Sequence, residues 1–257
     1  MIIAVLLKSV PDTAAVPQVT ENGRAIETGH LEFVMNPYDE HALEEAIRLK
    51  EATGGRLTAI SVGNTGARKI LRAALAVGAD EAVLICDPRA AGLTGRGIAK
   101  VLAKVLERLT PDVVFAGKQA MDEDGAQVPE RVAEILGLAH ASAVTTFAAR
   151  EGGVTVHREV EEGHLVLDLP LPVLLTVQKG INAPRYPTLP DTIKAGRKPI
   201  MERTLSDLDL DPAALRPGLK VEGLELARQT RLQKIIQGDL GAQTRELATM
   251  VTSHNAV

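Results

Sequence analysis

Six histidines and one cysteine are the residues to weigh first for chemistry, and their spacing excludes most of it. The histidines are His30, His41, His140, His157, His164 and His254, and no pair has metal-ligand spacing on one helix face. His157-Arg158-Glu159 matches half of a zinc-deaminase signature, but the other half needs two cysteines and Cys86 stands alone. The single cysteine also excludes an intrachain disulfide and fits a reducing compartment. No Gly-x-Ser-x-Gly elbow and no His-Glu-x-x-His pair occurs. Nucleotide signals are better. Gly63-Asn64-Thr65-Gly66 follows one apolar run and opens a helical pattern, so its N–H groups either cradle a phosphate or make a plain turn. The long polar loop Gly117–Gln127 follows another apolar run. It reads either as a ligand loop at a strand's carboxyl end or as an acidic cap, with Asp122 or Asp124 closing the next helix. Asn36 to Asp39 ends a neighbouring segment. Three polar loops at one sheet edge, with no catalytic dyad among them, describe a nucleotide pocket without chemistry of its own.

Those loops need a frame. Residues 2–7, 57–62, 81–86 and 113–116 are short apolar runs of the kind buried on both faces of a sheet. Helical patterns alternate with them over 37–50, 67–77, 96–108 and 127–136, the first with Asn36 placed as cap and Pro37 at the opening position. This alternation to about residue 140 predicts an α/β fold with a parallel sheet flanked by helices. The pattern then changes. Runs at 154–160 and 164–169 around Glu161-Glu162-Gly163 predict an antiparallel hairpin, and 171–177 is a further strand. Residues 182–191 hold three prolines and are expected to be a stiff loop, neither helix nor interior strand. From Met201 to about Glu222 the chain is polar and turn-rich, with Pro217-Gly218 among its turns, and a last helical piece spans about 239–250. The expected division is therefore a body over 1–200 and an extended C-terminal arm over 201–257, which has few large apolar residues and either lies on another chain or folds back into the core.

Composition narrows the function classes. The 257 residues carry 29 Lys and Arg against 33 Asp and Glu, a net charge of −4 that gives no basic surplus for nucleic acid. Aromatic residues are 2%, too few for base-stacking platforms. The longest apolar runs are of strand length, short of a bilayer span. The opening Met-Ile-Ile-Ala-Val-Leu-Leu-Lys reads as a buried strand rather than a leader, so a cytoplasmic location is expected.

Several short pieces in order resemble one family. They are Val-Leu-Leu-Lys-Ser-Val-Pro-Asp at 5–12, Met-Asn-Pro-Tyr-Asp-Glu at 35–40, Leu-Ala-Val-Gly-Ala-Asp at 75–80 and Gly-Lys-Gln-Ala-Met-Asp at 117–122. Arg158-Glu159 and Asn182-Ala183-Pro184-Arg185-Tyr186-Pro187-Thr188-Leu189-Pro190, with Lys194-Ala195 behind it, complete the set. Over about residues 1–200 the chain resembles the beta subunit of electron transfer flavoprotein. The resemblance implies a nucleotide-binding α/β fold of the adenine nucleotide alpha hydrolase-like kind. It implies an electron carrier subunit without catalytic residues of its own, paired with an alpha subunit that holds the redox FAD. It implies AMP as a structural ligand, electrons taken from flavin dehydrogenases of the acyl-CoA type in fatty acid oxidation, and their delivery to a quinone oxidoreductase. By matching position, AMP contacts fall at Leu6, Asn36, Pro37, Tyr38, Asp39 and Val62. They continue through Gly117, Lys118, Gln119, Ala120, Met121, Asp122, Glu123, Asp124, Gly125, Ala126, Gln127 and Val128. Glu159 matches a glutamate near the FAD domain, Leu189 matches the side chain that enters a hydrophobic pocket of the partner dehydrogenase, and Arg185, Tyr186 and Pro187 belong to the same docking loop. Two departures stand out: Gly125-Ala126-Gln127-Val128 lacks the Asn and Thr of some AMP-binding members, and Ala183 replaces an acidic residue common before Pro-Arg-Tyr. Bifurcating members hold a second, redox-active FAD in the same pocket, and the α/β pattern alone also allows a stand-alone adenine-nucleotide-binding module.

Overall fold

The computed structural model of the chain describes residues 1–215, 221–226 and 235–254. The strands are β1 (Ile2–Leu6), β2 (Ser9–Pro11), β3 (Phe33–Met35), β4 (Arg56–Val62), β5 (Glu81–Ile85), β6 (Val113–Gly117), β7 (Ala139–Arg150), β8 (Gly153–Val160), β9 (Gly163–Pro170), β10 (Val173–Val177) and β11 (Met201–Arg203). The helices are α1 (Pro37–Thr53), α2 (Arg68–Val77), α3 (Gly95–Leu109), α4 (Val128–Leu136), α5 (Leu189–Arg197) and α6 (Leu240–His254).

Nine strands form one sheet in the order β11-β5-β4-β1-β6-β10-β7-β8-β9. It is parallel from β11 to β7, and β8 and β9 add antiparallel. The expected α/β class holds, and so does the hairpin. Because side chains alternate across a strand, β1 sends Ile3 and Val5 into one apolar layer with α1 and α2, and Ala4 and Leu6 into a second with α3 and α4. Burial on both faces is why these strands read as unbroken apolar runs.

Four features differ from the sequence expectation. Ser9–Pro11 and Phe33–Met35 pair as a separate two-stranded antiparallel ribbon, where the polar stretch carried no strand signal. Residues 139–150 are one strand: its first part pairs with β10 and its second with β8, across register shifts near Ala143, whose φ is 56°. Leu189 to Asp191 open a helix and are not loop. Pro190 sits in the first turn, where its missing N–H removes no bond, and the Thr188 side chain accepts from the Asp191 N–H as cap. Finally, the boundary expected at 200/201 falls inside the packed body. Met201–Arg203 pairs with β5, and Leu205, Leu208 and Leu215 are buried against the α3 layer. Three leucines spread over eleven residues escape a periodicity reading but suffice to fasten that stretch. Pro217-Gly218 lies outside the described residues.

Candidate functional site

Strands β4 and β6 flank β1 on opposite sides, so the sheet's topological switch lies beside the carboxyl end of β1. Open α/β sheets place their clefts there. The cleft found at that edge is floored by Leu6, Ile60, Val62 and Ala116 and walled by Leu93, Gly95, Ile98 and Leu102 on the α3 side. Its rim runs from Lys8, Asn36 and Asp39 through Gly117, Lys118, Gln119, Ala120 and Glu123 to Gly125, Ala126, Gln127, Val128 and Pro129.

Two buried polar side chains hold the rim. Asn36 donates from Nδ2 to the Gln119 carbonyl and to Asp39 Oδ1, both at 2.9 Å, and its Oδ1 accepts from the Met121 N–H at 3.2 Å. Pro37 begins α1 as expected, but the Asn36 side chain makes no cap bond, because it is committed to the 117–127 loop. Asp39 accepts the Lys8 N–H on Oδ2 at 2.7 Å and the Gly117 N–H on Oδ1 at 3.1 Å. Burial pushes the Asp39 carboxyl up to about 7, against the pull of the Lys8 N–H, Asn36, the Gly117 N–H and the Lys8 charge. The start of α1 is thus tied to the ends of β1 and β6. Outside the rim, Lys8 Nζ pairs with Asp122 at 2.8 Å and Glu123 at 3.5 Å.

The loop that enters α4 is shaped differently. Asp124 and Ala126 both have positive φ, at 52° and 41°, which side chains other than glycine rarely adopt. The N–H groups of Gly125, Ala126 and Gln127 find no acceptor among the described residues, and no side chain caps α4. Neither aspartate acts as the acidic cap of the alternative reading: Asp122 is held by Lys8, and Asp124 accepts from Gln119 Nε2. A strip of unbonded N–H groups running into a helix N-terminus attracts anions.

Of the positions matched to AMP contacts, Leu6, Asn36, Asp39, Val62, Gly117, Lys118, Gln119, Ala120, Glu123, Gly125, Ala126, Gln127 and Val128 line the cleft. Pro37, Tyr38, Met121, Asp122 and Asp124 are not among the lining residues. The Gly63–Gly66 turn is not part of the cleft. The Gly63 N–H donates to the Ile85 carbonyl and the Gly66 N–H to Asn64 Oδ1. The α3 wall escaped sequence reasoning because Ile98 and Leu102, one helical turn apart, look like core. Gly95 was the available signal: a Cβ there would press on the Gln127 side chain at 3.2 Å, so the starts of α3 and α4 meet.

The second group of candidates lies elsewhere. Tyr186 is 92% exposed and Leu189 75%, with Pro187 exposed between them. Arg185 does not point freely outward. Its guanidinium bonds Glu44 and Glu51 of α1, which raises its already high pKa, Glu51 acting most and Glu44 next. Burial opposes ionisation of Glu44, but Arg185 and Arg48 outweigh it and hold the carboxyl below its ordinary range. Glu159 is exposed on β8, opposite His164 of β9. Among the described residues no group of three His, Cys, Asp or Glu converges as a metal site, and no helix is long and apolar enough to cross a membrane.

A mostly parallel sheet covered on both faces, with a cleft at its switch point, defines an open α/β protein. The chain belongs to the electron transfer flavoprotein beta-subunit family. The family model described as electron transfer flavoprotein domain matches residues 25–208. The chain is 38% identical over 244 residues to electron transfer flavoprotein subunit beta of Bacillus subtilis, covering 93% of this chain and 95% of that one. It is 36% identical to the subunit of the same name from Thermoanaerobacterium thermosaccharolyticum over the full length of both. Protein FixA of Sinorhizobium fredii is 33% identical, covering 99% of this chain and 94% of its own.

Proposed function

We propose that this chain is the beta subunit of a heterodimeric electron transfer flavoprotein and that its cleft holds AMP as a structural ligand. The observation that carries the ligand reading is the division of the cleft. An apolar slot between Leu6, Ile60, Val62, Ile98 and Leu102 suits a base, and the unbonded N–H strip at Gly125–Gln127 suits one phosphate. FAD, held mainly by the alpha subunit, supplies the redox chemistry of the pair. The residues of this chain bind and orient: Asn36 and Asp39 fix the rim, and the exposed arch around Leu189 presents an apolar side chain to flavin dehydrogenases. A quinone oxidoreductase is the proposed acceptor, and the cytoplasm the proposed compartment.

The test is mass spectrometry of the nucleotide released from the purified heterodimer, read beside its flavin absorbance. One AMP and one FAD per heterodimer is the expected result. Two FAD and no AMP overturns the structural-ligand reading in favour of a second, redox-active flavin. Failure to copurify with any FAD-bearing partner favours a stand-alone nucleotide-binding module.

A further inference from the structure

The arch that carries Leu189 is fastened at two points, and what fastens it differs at each end. On the far side α5 is seated by Ala195, which is 2% exposed, and by Arg72, whose Nη1 donates to the Ala195 carbonyl at 2.7 Å and also to that of Lys198. On the near side the chain is tied to α1 by the Arg185 backbone N–H and by the Arg185 and Asn182 side chains. Arg185 donates its N–H and Nε to Glu44 Oε2 at 3.1 and 2.9 Å and Nη2 to Glu44 Oε1 at 3.1 Å. It also donates Nη1 and Nη2 to Glu51 at 2.6 and 3.0 Å. Asn182 adds bonds to the His41 carbonyl and Glu45 at 2.9 and 2.8 Å. Between the fastenings, Tyr186, Pro187, Thr188 and Leu189 are all exposed, with Thr188 capping α5 and Leu189 as its first residue.

We infer that Arg185 is a positioning residue for docking: clamped on Glu44 and Glu51, it holds the Leu189 arch in the shape a partner's apolar pocket receives. This rests on the proposed docking role of Leu189. Glu44 is the reason the clamp is rigid. Its side chain is 4% exposed and accepts from Arg48 and from three donors of Arg185, so it cannot swing to another partner without leaving a buried charge unpaired. Only a guanidinium forks to two carboxylates at once, so lysine at this position keeps the charge and loses the geometry. A side chain presented on a loosened arch must be ordered when it docks, which weakens binding without removing the contact.

The test uses the intact heterodimer and a flavin dehydrogenase that reduces the wild type. Arg185→Lys, Leu189→Ala and the double variant are compared by KM for the dehydrogenase, kcat, flavin absorbance and amide exchange over 186–192. Arg185→Lys is expected to raise KM about three- to tenfold with kcat and flavin unchanged, and to speed exchange in 186–192 alone. Leu189→Ala is expected to raise KM more, and the double variant to match Leu189→Ala within about twofold, because Arg185 acts only through Leu189. Multiplied effects in the double variant, or an unchanged KM for Arg185→Lys beside a raised one for Leu189→Ala, overturn the inference and leave the docking reading standing. An unchanged KM for Leu189→Ala overturns the docking reading itself. If Arg185→Lys does not assemble, Glu51→Gln serves, since it removes only the exposed half of the clamp. It is expected to raise KM by a smaller factor that vanishes in the Leu189→Ala background, and no change overturns the inference.

Discussion

Asp39 is 5% exposed and still accepts three N–H bonds, so its ionisation couples directly to folding. Its carboxyl sits near 7 in the fold against 3.8 in an open chain. The folded state therefore holds the proton more tightly, and stability falls as pH rises from about 4 to about 7, then levels. Full ionisation costs the fold on the order of 4 kcal/mol by this route. Urea unfolding at fixed nucleotide concentration is expected to show the wild type losing about 2 kcal/mol or more relative to Asp39→Asn between pH 5 and pH 8. A parallel pH course for the two proteins would show that Asp39 is ionised throughout. Ser61 presents the opposite case, a neutral polar group with nothing to bond. It is fully buried in β4 and its Oγ has no partner. Ser61→Ala removes that unsatisfied hydroxyl and leaves only a small void, so a gain of about 1 kcal/mol in unfolding free energy is expected. A loss of stability would mean that the hydroxyl is bonded in solution.

Close approach of α1 to β6 is the element-level feature on which the cleft depends. Gly117 closes β6 where α1 begins, and a Cβ added there would meet Tyr38 Cβ at 2.6 Å and the Asp39 carboxylate closer still. Neither neighbour can retreat, since Asp39 is bonded to the Gly117 N–H itself. Gly117→Ala is expected to cost about 1–3 kcal/mol through overpacking and to release the nucleotide proposed above, both readable from a melt and from the nucleotide content of the purified protein. Full nucleotide content with an unchanged melt would show that the helix start yields. Such contacts explain what the sequence made legible. β1, β4, β5 and β6 were readable because burial on both faces leaves unbroken apolar runs, and α1 because Pro37 and Gly54 punctuate it. β7 was not, since Ala139–Arg150 is mostly alanine, serine and threonine and owes its strand state to β10 and β8 on either side. The opening of α5 was hidden by its prolines, whose meaning depends on where the first turn falls. At the cleft, the polar loops were visible as loops, whereas the apolar wall from α3 was indistinguishable from core until the sheet order placed it.

At the scale of the whole molecule, α6 has an exposed apolar stripe among the described residues. α6 is 15 residues long, a length at which an isolated helix is marginal in water. Leu240, Leu247 and Val251 fall at spacings of seven and four, on one face, and are 79%, 54% and 55% exposed. Ile235, just before it, is 79% exposed as well. Among the described residues, the body's two apolar layers are covered by α1, α2 and α5 on one side and by α3, α4 and the Leu205–Leu215 stretch on the other. We propose that the stripe packs on the alpha subunit proposed above, and assembly is then expected to form or stabilise α6. Burying one leucine contributes roughly 1.5–3 kcal/mol, and each 1.4 kcal/mol is tenfold in affinity. Leu247→Glu with Val251→Glu is accordingly expected to weaken heterodimer formation at least a hundredfold, while the melting of the α/β body, measured on what remains soluble, stays near wild type. Size-exclusion chromatography of coexpressed subunits over a dilution series reads the first quantity and a thermal melt the second. Heterodimer of wild-type affinity from the double variant would place α6 outside the interface, and a body that unfolds with it would place α6 in this chain's own core.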